Sequence, residues 1–372
     1  MYRFELHPDR QSIDPMRQLW NHLALVSGGG IGCHQLEVLE SFCQHLGAQR
    51  KLTLISVRDQ SGQVVGGLPL ISTPNRLITG YQTLSNEWFQ ARQPLIADDA
   101  DLSRVAQKLV EGMSQLQAKS FWLDWIAIDD PVWRAILSAA EQQGWAIQMK
   151  ARFEVGITHL PATWQEFEIS QSKNSRKRCR SEWKQISQAG QVRLQVATED
   201  DPDELYQSLE LAFQIELESW KGKQQSAIAC QPETKEFYSS WASRLHRCGS
   251  LRLFLLRLDD QAIAFDLGVV EGDRYRSVKV SYKESHMGLS PGHVLNQMVF
   301  QHFIADGRVK IMDTVGPMND ANRRWSNDSY RMGRLILAPG TWANNVTGRS
   351  LVSLLNARAA WTGSGTSILS SK

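Results

Sequence analysis

The chain has 372 residues, 42% apolar, 9% aromatic and 22% charged, a composition that excludes a disordered or collagen-like chain. At roughly 100–200 residues per domain the length gives two globular domains. A net charge of +2 provides no global field to draw the protein to nucleic acid or anionic lipid.

The opening MYRFELHPDR is charged and lacks the apolar stretch of a signal peptide. No uncharged apolar run is long enough to span a bilayer. Cys33, Cys43, Cys179, Cys230 and Cys248 are scattered and form no CxxC, which excludes a zinc ribbon or a dithiol redox motif. Buried thiols in a reducing, cytoplasmic compartment are the expectation. Ser27–His34 (SGGGIGCH) superficially suggests a dinucleotide loop. No strand pattern precedes it and no ribose-binding acid follows at the usual distance, so it reads as a loop before a helix.

Leu52–Ile71 forms a hairpin pattern, two β-rich runs around a polar turn at Asp59–Gly62. An amphipathic segment, Leu102–Gln117, follows, opened by Asp98, Asp99 and Asp101. The strand-like FWLDW, Phe121–Trp125, comes next. Pro161–Trp164 then marks a boundary. Beyond it, Ser172–Gly190 carries Lys173, Arg176, Lys177, Arg178, Arg180 and Lys184 against Glu182. Cys179, Trp183 and Ile186 fall at i, i+4 and i+7, which predicts a helix with one buried stripe and a basic face. Such a face reads first as a solvated surface, and as a contact for RNA, anionic glycan or nucleotide phosphates second.

Leu251–Val270 repeats the hairpin layout, with its turn at Asp259–Gln261. Pro291–Asp306 then gives a helix with an apolar stripe of Val294, Leu295, Met298, Val299 and Phe303, stopped by Gly307. The strand Val309–Asp313 follows. Equivalent features lie about 190–200 residues apart, the spacing of a duplicated domain and not of a solenoid. Each half reads hairpin, strand, helix, strand, so the fold class is α/β, with a mixed central sheet flanked by helices in each domain. The expected division is 1–160, 161–345 and a partly flexible tail, 346–372. The strand Tyr275–Tyr282 should run parallel to Val309–Asp313 across a right-handed crossover.

The most informative local feature is Ser290-Pro291-Gly292. Ser is a good N-cap, Pro is pre-set for the first helical position, and Gly allows a ligand close to the backbone. Free N–H groups and the positive dipole end make this turn an anion site, typically for phosphate. Lys279, on the incoming strand, adds a positive charge. In the first half the corresponding helix opens on aspartates, which cap well and repel phosphate.

ESWKGK (Glu218–Lys223), QAIAFDLGVV (Gln261–Val270), VKVSYKES (Val278–Ser285), LSPG (Leu289–Gly292), MDTVGP (Met312–Pro317) and NRRW (Asn322–Trp325) occur in order. Together they resemble the CelD-like, cellulose-biosynthesis-type acyltransferases of the GNAT superfamily, relatives of the Fem-type transferases. The match covers about residues 161–339; the first half matches in layout and would be a degenerate copy. The resemblance implies two tandem GNAT-like domains and transfer of an acyl group, acetyl or longer, from acyl-CoA to an amino sugar or other small amine in polysaccharide assembly. No metal is implied. Its matched positions put the donor on Lys279, Ser290, Pro291 and Gly292, with His293 next to that turn as a further donor contact. The acceptor falls to Trp220, Lys221, Tyr282, Asn322 and Trp325, and catalytic duty to Asp313 at the next strand's end; His286, flanking the turn, is a second catalytic candidate by its place beside the helix start.

Two positions depart from the family pattern. Ala321-Asn322 stands where Tyr-Lys is frequent, and Lys283 where Asp follows the strand tyrosine. These departures keep a catalytically silent scaffold open. A Fem-type enzyme using aminoacyl-tRNA is the other alternative, and the only one calling for nucleic acid. His286, His293 and His302 have no HxxxH spacing, so a metal site is not expected.

Overall fold

The computed structural model describes residues 2–27, 31–73, 80–86, 89–91, 93–197, 202–340 and 350. Gly28–Gly30 of the glycine-rich segment, and the tail apart from Ser350, lie outside the described residues. From the N-terminus the elements are β1 (Arg3–His7), α1 (Arg10–Ile13), α2 (Arg17–Val26), α3 (Ile31–His34) and α4 (Leu36–Ser41). The first hairpin is β2 (Leu52–Arg58) and β3 (Val64–Ser72). Short strands follow: β4 (Gly80–Gln82), β5 (Leu84–Ser85), β6 (Gln90–Ala91) and β7 (Leu95–Ile96). Then come α5 (Leu102–Gln115), β8 (Ser120–Ala127), α6 (Pro131–Gln142) and β9 (Ala146–His159).

The later chain forms α7 (Trp164–Ser170), α8 (Lys173–Ala189), β10 (Val192–Ala197), α9 (Pro202–Leu217), α10 (Trp220–Lys223) and α11 (Pro232–Arg247). The second hairpin, β11 (Leu251–Leu258) and β12 (Gln261–Glu271), leads into β13 (Arg274–Tyr282). The chain ends its described course with α12 (Pro291–Asp306), β14 (Ile311–Pro317), α13 (Asp320–Arg323) and β15 (Asp328–Ala338).

Two compact units result. One holds residues 1–23, 50–152 and 332–372; the other holds 24–49 and 153–331. Each unit draws on segments far apart in the sequence. In the second unit Gly32 donates its N–H to Glu271 (2.8 Å), and Trp241 Nε1 donates to the Gly32 carbonyl (2.6 Å). In the first unit, Met332–Leu337 of β15 pairs with β8.

The first unit is an antiparallel run, β1-β2-β3-β4, joined to β8 by the parallel pair β4–β8. Helix α5 packs on β1, β2 and β3. It opens on Asp101, whose side chain accepts the Arg104 N–H at 3.1 Å, the acidic start that suits a helix dipole.

The second unit orders its strands β9-β14-β13-β12-β11-β10, antiparallel except for β13–β14. Side chains alternate across a strand. Phe254, Leu256, Ala264 and Tyr275 pack with Val294, Val299 and Phe303 of α12 in one core. Leu253, Leu255, Phe265 and Leu267, pointing the other way, are also fully buried. The sheet is therefore covered on both faces, as continuous apolar strands require. All five cysteines are free; only Cys43 is fully buried and Cys248 is exposed, so the expectation of buried thiols holds for one of them.

Candidate functional site

Strands β13 and β14 run side by side only from Arg274↔Ile311 to Arg276↔Asp313. Past that point β13 continues to Tyr282 without β14 beside it. The ladder between β12 and β13 is irregular at Leu267/Gly268, where Val278 is the extra residue, and a bulge bends its strand and re-aims the side chains beyond it. Glycine is required there, because a Cβ on Gly268 would lie 2.3 Å from the Arg276 carbonyl oxygen. β14 breaks its own register with β9 between Asp313 and Pro317. Val315, a β-branched residue, sits at φ +57° in that stretch, a costly conformation.

Asp313 holds this strained stretch. Its carboxylate accepts the Val315 N–H (2.8 Å), an N–H of Arg274 (3.2 Å) and the Tyr330 hydroxyl (3.3 Å), and it is almost wholly buried. The carboxylate expected to act as a base thus also anchors the strand.

The Lys283 N–H bonds the Ile263 carbonyl at 2.8 Å. By alternation, Ser281 and Lys279 direct their backbone groups to β12, and Val280 and Tyr282 direct theirs to the unpaired edge. Lys221 Nζ donates to the Val280 carbonyl (2.9 Å) and to Glu216 Oε1 (2.7 Å). Glu216 is entirely buried and also accepts the Ile228 N–H at 2.8 Å. Trp220, beside Lys221, is half exposed. Deeper in the sheet, Asp266 accepts the Tyr275 and Ser277 hydroxyls at 2.9 and 2.7 Å. Burial pushes its carboxyl up to about 6, against the pull of those two hydrogen bonds.

At the head of α12, Ser290 adopts φ 53°, ψ 46°, and its side chain does not cap the helix. This corrects the N-cap expectation, since a left-handed backbone does not present the hydroxyl to the first turn as the usual extended N-cap does. The His293 and Val294 N–H groups instead bond the Ser290 carbonyl at 3.0 and 3.2 Å. Pro291 is buried. A Cβ on Gly292 would stand 3.3 Å from Tyr282 Cδ1, so the open strand edge ends against the open helix turn.

Charge at this turn comes from α8, from His293 and from Arg324, far apart in sequence. His293 Nδ1 lies 2.7 Å from Glu182 Oε1, Arg178 Nε donates to the same oxygen at 2.8 Å, and Arg324 Nη2 lies 3.4 Å from Glu182 Oε2. Burial opposes ionisation of Glu182, but the His293 and Arg178 hydrogen bonds and the Arg324 charge outweigh it and hold its pKa at about 2. The Nε and Nη1 of Arg324 are buried without a hydrogen-bond acceptor. On α8 the predicted stripe is modified: Ile186 is fully buried, Cys179 is half-buried, Trp183 is 38% exposed, and Glu182 is buried instead.

Of the predicted site residues, Trp220, Lys221, Tyr282, Pro291, Gly292 and His293 lie along one path, from the strand edge to the helix turn. Lys279 does not join them. Its ammonium lies 5.4 Å from the centre of the Tyr238 ring; it stands three residues from Tyr282 in an unbroken stretch of β13, so alternation turns the two side chains to opposite faces. His286 sits in the 284–289 turn, with Nδ1 3.0 Å from Ser285 Oγ. Asn322 is used in a capping box with Asn319. Trp325 is buried and stacked near Phe167 and Phe300 (6.0 and 5.3 Å), which gives it a packing role. Lys283 pairs with Glu218 at 3.0 Å. Among the described residues no cluster of His, Cys, Asp and Glu could hold a metal, and no helix is long and apolar enough to cross a membrane.

Glu182, Glu216, Asp266 and Arg324 are the site residues that sequence reasoning missed. Glu182 carried a signal, as the lone acid in a strongly basic helix; the others carried none.

Residues 173–325 match the acetyltransferase (GNAT) domain family. The fold resembles the crystal structure of FemX, 12% identical, with a TM-score of 0.59, covering 87% of this chain and 96% of that one. It also resembles the C-terminal domain (DUF2156) of an Agrobacterium fabrum protein described as a putative lysylphosphatidylglycerol synthetase, 11% identical, with a TM-score of 0.54, covering 93% and 96%. A conserved protein of unknown function from Bacteroides thetaiotaomicron VPI-5482 is 10% identical, with a TM-score of 0.54, covering 90% and 99%. At these identities the likeness is one of fold. No curated protein matches the chain.

Proposed function

We propose that this chain, with its GNAT acyltransferase fold, is an acyl-CoA-dependent N-acyltransferase. Its donor is acetyl-CoA or a near homologue, and its acceptor is an amino sugar or related small amine of polysaccharide assembly, as in the CelD-like branch. The observation that carries this reading is the parting of β13 from β14, with the open edge of β13 ending on Gly292 at the head of α12. An extended pantetheine arm pairs with such an edge as a further strand would. A pyrophosphate suits the helix turn, where dipole and cations act together.

The Val280 backbone, at the unpaired edge, offers its N–H to the thioester carbonyl, and the Lys221 ammonium beside it favours the developing oxyanion. The acceptor amine approaches from the side of Trp220. It attacks the carbonyl carbon as the free base, having lost its proton to water or to His286; the C–S bond then breaks, and the departing thiolate takes up, through water, the second proton that the new amide nitrogen sheds. Positioning supplies most of the effect, since Glu216 and Asp313 are spent on structure. The first unit, with its aspartate-opened α5, is a degenerate copy that holds no donor.

Calorimetry with acetyl-CoA tests this reading. Gly292→Val places two methyl groups in the approach to the turn and should weaken binding by about 1–3 kcal/mol, about 5- to 150-fold. Unchanged affinity removes the phosphate-turn argument. A second reading, a Fem-type transferase using aminoacyl-tRNA, draws on the exposed basic face of α8. It requires RNA binding that falls steeply with salt, and a flat salt response dismisses it. A silent scaffold binds no acyl donor.

A further inference from the structure

A cavity of about 150 Å³ opens between α7, α8 and α12, with walls that include Trp164, Trp183 and Trp325 and with Arg176, Gln171 and Gln297 around them. Resting on the acyl-CoA reading above, we propose that this cavity is the seat of the adenosine 3′-phosphate end of the donor. Size comes first. Sites for drug-sized ligands run to roughly 300–1,000 Å³, so this one takes a single ring system and not a whole cofactor.

The lining chemistry selects a purine. The partly exposed Trp183 gives a base a stacking surface, while Trp325, covered by Phe167 and Arg324, closes the wall. A glutamine side-chain amide presents one donor and one acceptor side by side, the pattern that pairs with the N6/N7 edge of adenine. Placement agrees. Gln297 follows Gly292 by five residues on α12, roughly 7.5 Å along the helix at 1.5 Å per residue. Arg324, which lies over the Trp325 ring at 5.0 Å, shares the Glu182 carboxylate with His293 at the turn. Cavity and turn are therefore neighbours on one side of α12.

Charge at the rim agrees too. Arg180 is held by Glu168 at 2.8 Å, whereas Arg176 has no acceptor among the described residues and is free to take a ribose phosphate. The bound order is then pantetheine along β13, pyrophosphate at Gly292, adenine among the tryptophans and the 3′-phosphate on Arg176.

The test uses the full chain, calorimetry and tryptophan fluorescence, with acetyl-CoA, acetyl-dephospho-CoA, S-acetyl-4′-phosphopantetheine and adenosine 3′,5′-bisphosphate as probes. Trp183 is partly exposed, so Trp183→Ala should fold, which circular dichroism checks. It should weaken acetyl-CoA roughly tenfold or more and leave S-acetyl-4′-phosphopantetheine unchanged. Arg176→Gln should lower acetyl-CoA affinity toward that of the dephospho compound and leave the latter alone. Adenosine 3′,5′-bisphosphate should quench the wild-type fluorescence.

If both variants bind acetyl-CoA as the wild type does while Gly292→Val does not, the adenine seat is overturned and the donor reading stands. If acetyl-CoA does not bind the wild type, both fall. Quenching by glucosamine but not by the bisphosphate, or preference for an RNA ending in adenosine over acetyl-CoA, also overturns the assignment.

Discussion

Glu182→Gln tests the electrostatics of the α12 turn most directly. In the folded chain the Glu182 carboxyl has a pKa of about 2, against an ordinary 4.5, through His293, Arg178 and Arg324. At 1.36 kcal/mol per pH unit the difference amounts to about 3 kcal/mol in favour of the folded state at neutral pH. Little is lost to solvent screening, because the side chain is only 10% exposed. The folded pKa is depressed, so the contribution is fully present above about pH 4.5 and is lost as the pH falls toward 2.

The amide keeps the shape and removes the charge. Urea unfolding followed by circular dichroism should place the variant about 3 kcal/mol below the wild type at pH 7, with the gap closing steadily between pH 4.5 and pH 2. A gap of constant size across that range would mean that Glu182 acts through packing, and no gap at pH 7 would mean that the cluster contributes nothing. Either result refutes the reasoning.

Asp266→Asn should behave in the opposite sense. Burial raises its carboxyl from 3.8 to about 6, so the native stability it confers is greatest below pH 3.8 and falls as the pH rises through 6. The asparagine variant, which still accepts from Tyr275 and Ser277, should be more stable than the wild type by about 3 kcal/mol at pH 8 and equal to it near pH 3.5; equal stability at both pH values counts against the argument. Lys221→Ala strands the buried Glu216 carboxylate and should cost about 3–5 kcal/mol in urea unfolding. Adding Glu216→Gln should recover most of that loss, and a strictly additive double variant would show that the pair is not coupled.

Features set by neighbours in sequence were legible beforehand. The helix predicted over Pro291–Asp306 forms over those residues, because proline at its start, glycine at its end and the intervening apolar spacing are all local. The Leu52–Ile71 and Leu251–Val270 hairpins pair as expected, since β-rich runs around a polar turn have few other ways to satisfy their backbone. Lys279 failed for a definite reason: it stands an odd number of residues from Tyr282 on one strand, so alternation turns the two side chains to opposite faces of the sheet. Ser290 failed because a left-handed backbone removes its hydroxyl from the capping position.

From its own order of residues the chain determined an α/β fold, hairpins of like layout in its two halves, a parallel strand pair around α12 and a proline-glycine turn at its head. These rest on periodicity and on the backbone preferences of proline and glycine, which act over a few residues. Only the tertiary structure decided which charges stand at that turn, that Asp313 anchors a strained strand, and that three tryptophans enclose one cavity. Glu182 and Arg324 are 142 residues apart, and His159 and Asp328 are 169 apart. Pairings at that separation depend on how helices and strands close on one another, and no local rule of sequence encodes them.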